Sequence, residues 1–182
     1  MKRTVLLLIL MLTFGGLHAQ ELPYKSLLKA PENYSAANVI ARMVDGLGYR
    51  FYWASEGLKA EDLSFGPEGE GRDIQQTTKH IYDLCLLVLQ SVDKGAEVEE
   101  PGEDFEELRA ETLKVLYATS LKLRELSDKD METLSFRGMP LWYMINGPIA
   151  DAVYHTGQIV LLRRMAGNPM NPNVNVLTGV NR

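Results

Sequence analysis

The chain has 182 residues, a formal net charge of −5 and a single cysteine, with 46% hydrophobic and 24% charged residues. That length suits one domain able to bury roughly 70% of its unfolded surface, and the composition excludes a disordered, collagenous or polytopic membrane chain. The acidic balance speaks against a nucleic-acid partner, which calls for a basic footprint, and one cysteine excludes a disulfide framework or a Cys-rich zinc module.

In chain order the first element is a leader. Lys2 and Arg3 precede an apolar run over 5–14 that only Thr13 interrupts, and Gly15-Gly16-Leu17-His18-Ala19 offers small residues for cleavage after Ala19. This is the pattern of a signal peptide over 1–19, too short to span a bilayer as a helix. It predicts a periplasmic or secreted protein whose one domain is 20–182, with no stable membrane span after cleavage. In an oxidising compartment the lone Cys85, inside the apolar stretch 81–88, reads as core packing rather than as a nucleophile.

Four helical segments follow. The first covers 35–57, where Ile40, Met43, Val44, Leu47, Phe51, Ala54 and Leu58 step by three and four, the period of an amphipathic helix. Gly46 and Gly48 within it point to close packing, because glycine costs a helix about 1 kcal/mol. A plain loop over 66–71 leads to the second helix, 73–92, with Ile74, Thr77, Thr78, Ile81, Leu84, Cys85 and Val88 facing inward. The acidic joint 97–104 reads as a solvated segment favouring a helix N-terminus, not as a metal loop. The third helix starts near 105 and carries Phe105, Leu108, Thr112, Leu116, Thr119, Leu123 and Leu126 on one face. A hairpin or extended crossover over 134–142 leads to the fourth helix, 148–166 or beginning as early as 140. There Pro148 is either the first helical residue or the cause of a kink. Gly167-Asn168-Pro169 ends it, and an Asn- and Pro-rich tail closes the chain. Helices with one-sided stripes bury them against one another, so the expected fold is all-α, a four-helix bundle.

Two histidines remain after the leader, His80 and His155. Asp151 precedes His155 by four, which puts both side chains on one helical face about 5–6 Å apart at Cβ. The same spacing also occurs as an ordinary hydrogen-bonded pair. With His80 from a facing helix, three ligands would leave an open position, the layout of a catalytic metal site, and the set suits zinc hydrolases and non-haem iron triads alike. Gln158, one turn beyond His155, is placed for a supporting hydrogen bond, and Gly157 for close helix approach. Glu56, flanked by Tyr49, Tyr52 and Trp53, is a candidate general base. Arg163 and Arg164 read as helix C-terminal charges, either of which an anionic substrate can use.

The segment Asp151-Ala152-Val153-Tyr154-His155-Thr156-Gly157-Gln158-Ile159, followed by Leu162-Arg163-Arg164 and Gly167, resembles the last helix of the DinB-like superfamily. Its members show His-x-x-x-His-x-Gly-Gln-Ile leading into Leu-Arg-Arg and a glycine. They also carry a histidine early in the second helix, where Thr77-Thr78-Lys79-His80-Ile81 stands here. The resemblance implies a four-helix bundle holding a divalent metal on three side chains, here His80, Asp151 and His155. Most members have histidine at the place of Asp151. The related mycothiol-dependent maleylpyruvate isomerases carry a carboxylate there and bind zinc, so the choice of metal stays open: zinc or nickel first, then iron or manganese.

The expectation is therefore an exported metal-binding protein acting as a metal-dependent hydrolase of a small-molecule substrate. The alternatives are a thiol-dependent transferase or isomerase, and a non-catalytic binding or scaffold bundle. A homodimer is compatible with each.

Overall fold

The computed structural model describes residues 21–182, so the expected leader lies outside the described residues. The described chain is mostly helical. Four long helices carry it: α1 (Ala36–Ser55), α3 (Ile74–Val92), α4 (Phe105–Glu125) and α7 (Ala150–Met165). Three short ones, α2 (Ala60–Leu63), α5 (Asp128–Thr133) and α6 (Trp142–Met144), lie in the joints. α1 packs on α4, α4 on α3, α3 on α7, and α7 back on α1, so the long helices form a closed ring.

Side chains at three- and four-residue steps fill the interior, as an apolar stripe requires. Val44, Leu47 and Phe51 come from α1, Ile81 and Cys85 from α3, Leu108, Leu116 and Leu123 from α4, and Ile159 from α7. Burial pushes the Cys85 thiol far up, out of the range of a nucleophile. Met43 does not join its expected stripe. It is 45% exposed, because Val44 and Leu47 hold the inward arc of that turn.

The helix starts follow from their capping residues. Ser35 Oγ accepts from the Asn38 N–H, and Asp104 accepts from the Glu107 N–H. Asp73 and Gln76 form a reciprocal capping box at α3. Each such cap is worth about 1 kcal/mol. The acidic joint thus ends in the cap of α4, with Glu106 and Glu107 in the first turn, where the helix dipole favours negative charge.

Of the two glycines in α1, Gly48 has the clearer packing role. A Cβ there would lie 2.5 Å from the Tyr24 ring. Tyr24, at a positive φ of 74°, donates its hydroxyl to buried Asp45 at 3.3 Å, and Arg124 of α4 meets the same carboxylate at 2.6 Å.

The crossover is a hairpin. Strands β1 (Ser135–Phe136) and β2 (Met139–Pro140) pair antiparallel, Phe136 opposite Met139. Arg137 and Gly138 between them both have positive φ, as a two-residue type I′ turn demands. The last helix begins neither at Pro148 nor at a simple kink. Helical structure starts at Trp142, passes through a π-helical turn, Ile145–Ile149, that contains Pro148, and continues as α7. A π turn tolerates a residue without an N–H more readily than the regular ladder, and it re-aims the helix that follows.

Candidate metal centre

The contact between α3 and α7 brings together residues more than seventy positions apart. His80 enters from the second turn of α3, while Asp151 and His155 lie one turn apart on α7. One donor atom from each falls within 4.8 Å of the others. The Asp151 carboxylate sits between the two imidazoles: Oδ2 is 3.6 Å from His80 Nε2 and Oδ1 is 3.4 Å from His155 Nε2. The rings stand edge to face, 4.7 Å between centroids.

The donor set passes a simple test of fit. Ligands at 2.0–2.1 Å from a tetrahedral ion are separated from one another by roughly 3.4 Å. The two carboxylate–imidazole separations, each to a different oxygen, lie near that edge, and both are long for a direct hydrogen bond. Two imidazoles and one carboxylate suit a borderline divalent ion, and each histidine turns Nε2 toward the Asp151 carboxylate.

Protonation favours the ligand form. Partial burial holds the His80 imidazole below its ordinary value of 6.5, and the positive charge of Arg72 adds to this, followed by His155. Asp151 opposes the shift without cancelling it. Neutral imidazole is the form that binds metal. His155 is oriented by Gln158, whose Oε1 lies 2.6 Å from Nδ1. Nδ1–H donating to that oxygen leaves the Nε2 lone pair facing Asp151. A ligating histidine commonly has its second nitrogen held in this way.

Access comes from solvent. His155 is buried, but the Asp151 side chain is 45% exposed. Two clefts flank the group. One of about 780 Å³ reaches His80 and includes Arg72, Gln75 and Lys79. The other, about 620 Å³, lies between the 66–72 loop and α7, with His155, Gln158, Leu161 and Met165 in its walls.

Other expected site residues are placed elsewhere. Glu56 caps the C-terminal end of α1, its carboxylate engaged by Arg109 of α4, and it stands outside the donor group. Gly157 serves no close approach, because no atom lies within 4 Å of where its Cβ would be. Arg163 is not a surface charge for substrate. It is 2% exposed and donates to the carbonyls of Trp53, Ala54 and Glu56 at the end of α1, and burial lowers its pKa. Arg72, by contrast, carries no motif in the sequence, at the end of a plain loop, yet it lines both clefts. It precedes the cap of α3, outside the helix, where no periodic pattern marks a residue.

The fold and site together define a helical protein with a His-Asp-His cluster able to hold a metal ion. Compared with family models, curated proteins and solved structures, the chain matches none.

Proposed function

We propose that this is an exported, DinB-like four-helix bundle that holds a divalent metal ion on His80, Asp151 and His155 and hydrolyses a small substrate there. Zinc or nickel is the preferred ion, with iron or manganese next. The observation that carries the reading is the convergence of three ligand-type donor atoms from two helices, with Asp151 facing both imidazoles through separate oxygens. When bound, the ion supplies Lewis acidity at a coordination position that three protein ligands leave open. Gln158 fixes the tautomer of His155, the charge on Arg72 helps keep His80 neutral, and the exposed edge of Asp151 faces the solvent from which substrate arrives.

A cleft beside the donors supports catalysis over a scaffold role, since a purely structural site is normally closed by four protein ligands. Export, read from the leader, weighs against thiol-dependent transfer, because low-molecular-weight thiols are less dependable outside the cytoplasm.

The test is thermal denaturation with and without zinc, nickel, manganese or iron(II). A ligand bound only to the native state adds about 2.7 kcal/mol at a hundredfold excess over Kd. His80→Ala and His155→Ala are expected to abolish most of that gain. Asp151→Asn keeps the shape and loses the charge, so it is expected to retain part of it. Gln158→Ala is expected to weaken affinity about tenfold, as loss of a ligand-orienting partner does. An equal metal response in all four variants would refute the site.

A further inference from the structure

We infer that the cleft between the 66–72 loop and α7 binds a small monoanionic carboxylate with an apolar tail, its charge held by Arg72 and its body lying along Leu161, Leu162 and Met165. This deepens the metal reading by naming a substrate class for the same site, and it rests on that reading.

Arg72 lines both clefts, the one that reaches His80 and the one that reaches His155. Arg109, Arg124 and Arg163 are tied to carboxylates or carbonyls. Among the described residues no ion pair joins Arg72 to any carboxylate. A guanidinium with its fork unused, at the edge of a cavity, is suited to a planar carboxylate.

The opposite wall supplies the rest. Leu161 is 54% and Met165 64% exposed, large apolar side chains left facing the cleft on the helix that carries two of the donors. Their apolar surface favours a tail rather than a second polar group. Glu70 shares the rim. Its carboxylate repels a further negative charge, which selects a monoanion over a dianionic phosphate. A divalent ion on one aspartate and two neutral imidazoles carries net positive charge, and with Arg72 it favours an anion at this position.

The experiment is calorimetric titration of zinc-loaded protein with hexanoate, with its neutral isostere hexanamide, and with hexyl phosphate at a pH where it is dianionic. Wild type is compared with Arg72→Gln and Arg72→Lys, and zinc affinity is measured separately in each. Arg72 is exposed, so neither variant removes a core contact. Hexanoate is expected to bind wild type at least tenfold tighter than either other probe. Arg72→Gln is expected to erase that preference, and Arg72→Lys to keep part of it, when the proteins are compared at equal, saturating zinc occupancy. Equal hexanoate affinity in wild type and Arg72→Gln, with zinc still bound, overturns this inference and leaves the metal reading standing. Failure of wild type to take up zinc, nickel, iron(II) or manganese overturns the metal reading. Hexanoate titration of the metal-free proteins then decides by itself whether Arg72 makes the cleft an anion site.

Discussion

His80 illustrates how much a single residue's surroundings decide. Its imidazole is held below 6.5 by partial burial and by Arg72. Between the folded and unfolded values the unfolded chain binds the extra proton, so stability rises with pH through that window. The contribution is fully present above the unfolded value near 6.5 and is lost as pH falls toward the folded one. Metal-free protein, melted in the presence of a chelator at pH 7.5, 6.5 and 5.5, is therefore expected to lose stability on acidification. His80→Gln, which cannot titrate, is expected to lose less. Parallel pH profiles for the two proteins would show that His80 carries no such linkage. Metal response is expected to fade over the same range, because protons compete for Nε2.

At the scale of elements, α7 breaks the pattern that made the other long helices legible. Its buried face is Ala152, His155, Thr156, Ile159 and Arg163, while Val153, Tyr154, Leu161 and Met165 are exposed. A helix with polar side chains among the inward ones and large apolar ones outward has no clean stripe to read, and such local conflicts gather at functional sites. A π turn, Ile145–Ile149, runs directly into it, ending two residues before Asp151. The two glycines tested by packing separate by the same logic. Gly48→Ala would press a methyl group into the buried Tyr24 ring and is expected to cost about 1–3 kcal/mol. Gly157→Ala meets open space in a regular helix and is expected to stabilise by about 0.5–1 kcal/mol. Urea denaturation of the two variants checks both signs.

Across the whole molecule, Arg163 ties three parts of the chain together. Beyond the α1 carbonyls it donates from Nε to the Asn168 carbonyl at 2.8 Å and from Nη2 to Asn168 Oδ1 at 3.2 Å. Asn168 in turn donates to Gly57 O at 2.9 Å and Asp62 Oδ2 at 2.7 Å, and that second bond is the largest cause holding the Asp62 carboxyl below its usual range. The tail is fastened too: Tyr49 donates its hydroxyl to Asn181 Oδ1 at 2.8 Å, and Leu27 N–H donates to Gly179 O at 2.8 Å. Arg163→Leu removes the side-chain donor from three carbonyls at the end of α1, that of Ala54 buried, and is expected to cost about 3 kcal/mol. Arg163→Lys is expected to recover only part of this, since an ammonium cannot reproduce the fork. Arg164→Leu, on the exposed side, is expected to fall within about 0.5 kcal/mol of wild type. Denaturant midpoints at unchanged slope measure all three.

The sequence by itself determined the helices of α1, α3 and α4, because their apolar residues recur at the helical period. It also singled out His80, Asp151 and His155, through residue type, spacing on one helix and a family resemblance. Only the tertiary structure decided that α3 meets α7 with His80 against Asp151, that Arg163 is an internal cap rather than a surface charge, that Glu56 is engaged by Arg109, and that Arg72 stands over the cleft. Periodicity reports which face of a helix is buried, whereas these contacts depend on which helices become neighbours and at what rotation. That choice rests on packing among residues far apart in the chain, for which local pattern carries no signal.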